Sequence, residues 1–287
     1  MVQENQANQK ELIEKYDEGL GTVYERFRLN YIFKRLMKTN NIKRILEYPM
    51  YGMTGVDGIN SVYFAQQNAE VEIVDDNWER LEKVKNNWQL LQLDHKLNTH
   101  YCPHSEIGRI DLPEQSYDLV WNFAALWFYH DADIIINRMI DLSKKLVMIS
   151  VNNTSQPGYP LRKYLLDREF FTGNDIDTRW VQMPRIKQIL RTYGLDILEE
   201  GVFDTPPWPD TCLPVDELKR KLGFKVESNK KSDWLWSMMA WYAGEDPELE
   251  NKVKRFMFIE DSPLPQCIKQ FWSHHRYIIA RKRDYEK

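Results

Sequence analysis

Apolar residues along this chain occur either in short unbroken runs or at every third or fourth position, the signatures of buried strands and amphipathic helices. Lys43 to Tyr48 reads as a strand, Pro49 to Gly58 as a glycine-bearing loop, Ile59 to Gln67 as a short helix, and Val71 to Val74 as a second strand ending in Asp75 and Asp76. A helix follows from the capping sequence Asp76-Asn-Trp-Glu79, with Trp78, Leu81, Val84, Trp88 and Leu91 on one face. Further strands are predicted near 98–102, at 117–122, at 144–150 and at 195–204, with helices at 133–142, 161–170 and from Pro184 to a stop at Gly194. Ahead of the first strand, residues 9–38 read as two helices broken near Gly19-Leu-Gly21, the second with Val23, Tyr24, Phe27, Tyr31 and Ile32 close to helical spacing. Strands alternating with helices predict an α/β fold built on a doubly wound sheet.

The strand–loop–helix–strand unit at 43–76 suggests chemistry. Its loop brings backbone N–H groups and a helix N-terminus to a ligand, and an acid closing the second strand can accept hydrogen bonds from a ribose. A nucleoside-containing cofactor is expected. The carboxyl end of the 117–122 strand opens into Phe123-Ala-Ala-Leu-Trp-Phe-Tyr-His130, where an open α/β sheet builds its site. His130 is the first candidate for a general base because its unperturbed pKa lies near neutrality, with Tyr129 or Asp131 behind it.

Composition narrows the classes. The chain has 287 residues, 43% hydrophobic, with 39 Lys and Arg against 43 Asp and Glu. One large domain is expected, and without a basic block nucleic-acid binding is not. The polar start and the lack of a long apolar run predict no membrane span and a cytoplasmic location. Cys102, Cys212 and Cys267 are too few and too scattered for a disulfide framework. His100-x-Cys102-x-His104 has a ligand-like spacing without a fourth ligand nearby, so no metal is assigned. The 10 Trp, 15 Tyr and 12 Phe exceed what the sheet needs and point to a lined pocket or interface. Tyr24, Trp127, Trp208, Trp234 and Trp236 are the candidate substrate-binding aromatics, with packing in the core or in the insertions as the competing role.

Ile45-Leu-Glu47, the loop, and Ala69 to Asp75 together resemble the opening of a class I, Rossmann-like S-adenosylmethionine-dependent methyltransferase. Ser116 to Asn122 resembles that family's fourth strand, Lys144 to Ser150 its fifth, and His274 to Lys282 its antiparallel seventh. The resemblance implies a mostly parallel seven-stranded sheet with an antiparallel last strand. It implies a helical lid at 1–40 and a methyltransferase domain at 41–287, with insertions at 152–182 and, between strands six and seven, a helical one at 205–261. It also implies roles. Glu47 would orient the methionine amine of S-adenosylmethionine, Asp75 would accept from the ribose, Asp76 and Asn77 would lie near the adenosine, and Asn122, Phe123 and Ala124 would pass the methionine part.

Two positions depart from the family pattern. Pro49 and Tyr51 stand where it has its first glycines, and the glycines here are Gly52, Gly55 and Gly58, spaced by three. Gly58 aligns with the family's last glycine. After the third strand no Asp is placed for the adenine amino group, and Ser105 or Glu106 would substitute. The expected activity is methyl transfer to a small or medium-sized molecule, with a homo-oligomer left open. A non-catalytic scaffold that kept the fold is the first alternative, and an NAD-dependent oxidoreductase, lacking G-x-G-x-x-G here, is the second.

Overall fold

The computed structural model describes residues 16–50, 55–208, 220, 223 and 235–283. Seven strands form one sheet: β1 (Arg44–Glu47), β2 (Glu70–Asp75), β3 (Leu97–Tyr101), β4 (Tyr117–Phe123), β5 (Ser143–Asn152), β6 (Leu195–Phe203) and β7 (His275–Lys282). Their order is β3-β2-β1-β4-β5-β7-β6. β1 lies parallel between β2 and β4, while β7 runs antiparallel to both β5 and β6. All seven residues of β4 are buried, as expected of a central strand covered on both faces.

Alternation along each strand sorts its side chains between two cores. One face carries Ile45, Ile73, Leu119, Trp121, Met148 and Ile279. It is covered by α1 (Gly19–Thr39), α2 (Val62–Gln66) and α3 (Trp78–Leu90). The other carries Leu46, Val74, Val120, Val147, Ile149 and Ile278 under α4 (Ala132–Leu142) and α5 (Met183–Thr192). The mostly parallel seven-stranded sheet and its antiparallel last strand agree with the sequence reading.

Several local expectations change. Of the two helices expected over 9–38, the second is α1, which begins where the break was expected, at Gly19 in the left-handed region (φ 77°), while most of the first falls outside the described residues. The helix expected at 161–170 is present as three successive short helical segments, Gly158–Leu161, Arg162–Leu166 and Arg168–Gly173, interrupted at Asp167. Within the helical insertion expected at 205–261, residues 215–222 read in the sequence as a charged helix, and they fall almost wholly outside the described residues. The described part of that insertion packs on α1. Met238 and Met239, on the short helix α6 (Met238–Tyr242), are fully buried, and Trp241 meets the Phe27 ring edge-on at 4.9 Å. Asn30 Nδ2 donates to Tyr242 Oη (2.8 Å), and Arg28 pairs with Glu260 (2.8 Å) and Asp261 (2.7 Å). α1 is therefore buried between sheet and insertion. Among the described residues no helix is long and apolar enough to cross a membrane.

Candidate active site

At the carboxyl edge of the sheet, on the face covered by α1, the apolar alternation gives way to polar residues. Glu47 closes β1, Ser150 and Asn152 close β5, and His275 opens β7 directly opposite Asn152. All four are buried. Glu47 Oε1, Ser150 Oγ, Asn152 Nδ2, Asp204 Oδ1 and His275 Nδ1 have no hydrogen-bond partner among the described residues. Buried polar atoms almost always have one, so a run of exceptions along one edge marks a place built for a polar ligand or ordered solvent. The residues directly after β4 and β6, Ala124 and Asp204, both adopt positive φ (50° and 58°), a conformation that non-glycine residues keep where the surroundings enforce it.

Glu47 is the centre of this edge. Its Oε2 accepts from Ser61 Oγ (2.6 Å), and Ser61 Oγ accepts in turn from the Trp121 indole N–H (3.2 Å). Burial pushes its carboxyl up to about 7, against the pull of Ser61, Arg26 and Asn60. After Glu47 the chain stays inside the sheet for three more residues, with Tyr48 N donating to Trp121 O and Met50 N to Val74 O, both at 2.8 Å. The turn that follows contains Gly52, which lies outside the described residues. Gly55, at φ 82°, packs on α1, where a Cβ would stand 2.7 Å from Glu18 Oε1. Gly58, at φ 75°, faces Val84 and Trp88 instead, and its carbonyl accepts from the Trp88 indole (3.0 Å). Gly58 thus lets the loop pack closely on α3.

The second acid is committed elsewhere. Asp75 is fully buried and receives Arg80 Nε (2.9 Å) and Nη2 (2.7 Å) together with the Asn77 N–H (2.7 Å). Burial pushes it up to about 6 in spite of Arg80. Asp76 meets His104 Nδ1 (2.6 Å), Tyr129 Oη (3.2 Å) and Arg80 Nη2 (3.2 Å). Asn77 caps α3 by accepting from Arg80 N (2.9 Å). Arg80→Ala is expected to cost about 2 kcal/mol of stability. Orphaning a buried charge costs about 3–5 kcal/mol, less here because Arg80 is partly exposed. Adding Asp75→Asn should recover most of that loss. Urea unfolding of the four chains checks the coupling, and additive effects would contradict it.

The remaining expected site residues divide between the two faces. Phe123 lies on the polar edge, its ring 5.3 Å from the Arg26 guanidinium and 4.9 Å from the His275 ring. Asn122 points to the other face, where its amide donates to Pro49 O (3.0 Å). Ser105 is exposed on the turn at His104–Arg109. Tyr129 stacks on His104 at 4.5 Å, and burial together with Asp75 and Asp76 pushes its phenol well above the ordinary value. His130 stands at the surface and pairs with Asp175 (2.7 Å). The turn at Leu126–Phe128 carries it outward, so the structure does not bring it to the polar edge. Trp127 is buried against Phe170 and Phe171 on the α4 side, again away from that edge.

Tyr24 Oη donates to Glu260 Oε2 (2.9 Å), and its ring meets Trp208 edge-on at 5.9 Å. Trp236 packs beside α1, its N–H donating to Asp17 (3.3 Å) and its carbonyl accepting from Glu18 N (2.8 Å). Trp234 lies outside the described residues. Sequence reasoning did not single out Glu25, Arg26, Asp204 or the His274-His275 pair. The one available signal was a pair of charges, Glu25 and Arg26, set between the apolar positions Tyr24 and Phe27 of a covered helix.

No protein-family model and no curated protein matches the sequence. Solved structures do. A candidate sarcosine dimethylglycine methyltransferase from Galdieria sulphuraria superposes with TM-score 0.51 at 12% identity, covering 88% of this chain and 84% of that one. YcgJ of Bacillus subtilis gives 0.50 at 12%, over 88% and 97%. Phosphoethanolamine N-methyltransferase 2 of Haemonchus contortus, solved with S-adenosyl-L-methionine, gives 0.50 at 16%, over 88% of this chain and 51% of that one. At such identities the likeness is one of fold. With its strand order 3-2-1-4-5-7-6 and antiparallel β7, this chain has the class I, Rossmann-like fold of S-adenosylmethionine-dependent methyltransferases.

Proposed function

We propose that the chain transfers a methyl group from S-adenosylmethionine to a small or medium-sized acceptor held at the polar edge beneath α1. The observation that carries this reading is Glu47, a buried carboxylate at the end of β1 with one oxygen unpartnered. An ammonium group is the natural partner for that oxygen, which fits the methionine end of the cofactor. At the ribose end the fit is narrower. Asp75 already uses about three of its four lone-pair directions, leaving one on Oδ2 for a hydroxyl.

The bound cofactor supplies a carbon already activated by a sulfonium, so the protein's contribution is alignment and exclusion of water, which proximity alone can make large. Phe123 gives an apolar wall beside His275 and Arg26. For an acceptor that must lose a proton, His275 is better placed than His130, since it lies on the same face of the sheet edge as Glu47. A thiolate or free amine needs no base.

The engagement of Asp75 by Arg80 favours a second reading, a scaffold that kept the fold without turnover. Incubation with S-adenosylmethionine and panels of thiols, amines, alcohols and carboxylates separates the two, with release of S-adenosylhomocysteine as the readout and NADH binding as the control. Acceptor-dependent release supports methyl transfer. Binding of neither nucleotide supports the scaffold, and binding of NADH alone supports an oxidoreductase.

A further inference from the structure

Where α1 crosses the ends of β6 and β7, three buried side chains from distant parts of the sequence converge. Glu25 comes from α1, Asp204 directly follows β6, and His275 opens β7, and one ligand atom from each lies within 4.8 Å of the others. Glu25 Oε2 is 2.8 Å from His275 Nε2, while Arg26 pairs with the other oxygen, Oε1, and leaves Oε2 turned inward. Asp204 Oδ2 is 2.9 Å from His274 Nδ1 and 4.0 Å from His275 Nε2, and its Oδ1 has no partner.

Among the described residues Asp204 has imidazoles but no guanidinium or ammonium group as partner, and Lys269 Nζ, the other buried cation nearby, is engaged by the Glu260 backbone carbonyl. Glu25, Asp204 and Glu260 are buried carboxylates, and the guanidinium groups facing them are Arg26 and Arg28. An uncompensated carboxylate in an apolar interior is costly, so one more cation belongs in the cluster. A proton on an imidazole is one such cation and a metal ion is the other.

We propose that Glu25, Asp204 and His275 form a binding site for a divalent first-row transition-metal ion, with His274 orienting Asp204. One imidazole and two carboxylates suit Zn²⁺, Mn²⁺ or Fe²⁺. With bonds of about 2.1 Å the ligand atoms of a tetrahedral ion lie about 3.4 Å apart, so binding would open the Glu25–His275 contact (2.8 Å) and draw Asp204 in from 4.0 Å of His275. His274 then plays the part usual for a group behind a ligand, holding the carboxylate by its outer oxygen. An ion here would occupy His275 and leave methyl transfer to acceptors that need no base, while metal binding itself is tested without any acceptor; because the ligands come from three separate segments, an ion pins α1 to the sheet edge.

The test uses chain purified without a histidine tag and stripped with chelator. It is titrated calorimetrically with Mn²⁺, Co²⁺ and Zn²⁺ as wild type, His275→Gln, Asp204→Asn and the surface control His130→Gln, with circular dichroism confirming that each is folded. One ion should bind per chain, at least tenfold more weakly in the first two variants and unchanged in the control. The ion should also raise the melting temperature of the wild type, and the visible Co²⁺ spectrum should change in His275→Gln. Lack of stoichiometric binding by folded wild type, or binding indifferent to His275→Gln, would overturn the proposal and assign the extra cation to a protonated imidazole.

Discussion

Glu47→Gln is expected to stabilise the protein by about 3 kcal/mol at pH 8 and, at the same pH, to weaken binding of S-adenosylmethionine about tenfold to a hundredfold. The first effect follows from linkage. Burial raises the Glu47 carboxyl from an ordinary 4.5 to about 7, so between those values the folded chain holds a proton that the unfolded chain has released. Stability is then fully present below pH 4.5 and is lost as pH rises through 7, by about 3 kcal/mol at 1.36 kcal/mol per unit. Glutamine keeps the shape and can still accept from Ser61 Oγ, without the buried charge. The second effect is the loss of a charge-assisted hydrogen bond to an ammonium, worth about 1.5–3 kcal/mol. Urea unfolding of both chains at pH 4, 6 and 8 checks the first effect. Two stability curves that stay parallel across that range would contradict it.

Trp121→Ala is expected to cost about 3–5 kcal/mol, the range for removing a large buried aromatic. Trp121 is fully buried in the middle of β4, edge-on to Phe33 at 4.9 Å and to Phe64 at 6.4 Å. It therefore ties α1 and α2 to the sheet. Its indole N–H also reaches Ser61, the group that holds Glu47, so the variant should weaken cofactor binding even where it remains folded. Trp78→Ala, at an exposed position on α3, is the comparison and should cost less than about 1 kcal/mol. Denaturant unfolding of the two variants measures the difference, and similar losses would contradict the packing described.

Much of this fold was legible because strand and helix periods are strong signals where one face is buried. β4 reads as a mostly apolar run, broken by Asp118 and Asn122, and is buried at every residue, and Glu47 and Asp75 stand at strand ends as their positions required. What the sequence could not show is which partner each charged group takes. Arg80 looks like an ordinary residue on a helix exterior, yet it turns back onto Asp75 five positions earlier. Glu25 and Arg26 look like a solvated pair, yet both are buried, Glu25 against His275 and Arg26 against Phe123 at the sheet edge. His130 has the right intrinsic chemistry and follows the right strand, but the turn at Leu126–Phe128 leads it outward to Asp175. Trp127 fell to the other core by the same turn. The convergence of Glu25, Asp204 and His275 spans 250 positions between its ends, and no local spacing encodes it.

The central claim is that Glu47 is a cofactor-binding carboxylate. It is tested most directly by titrating S-adenosylmethionine into wild type and Glu47→Gln at pH 8 in a calorimeter, with both chains shown to be folded. Saturable binding to the wild type that weakens at least tenfold in the more stable variant is the predicted result. Equal affinity in the two chains, or no binding by folded wild type, would contradict the account.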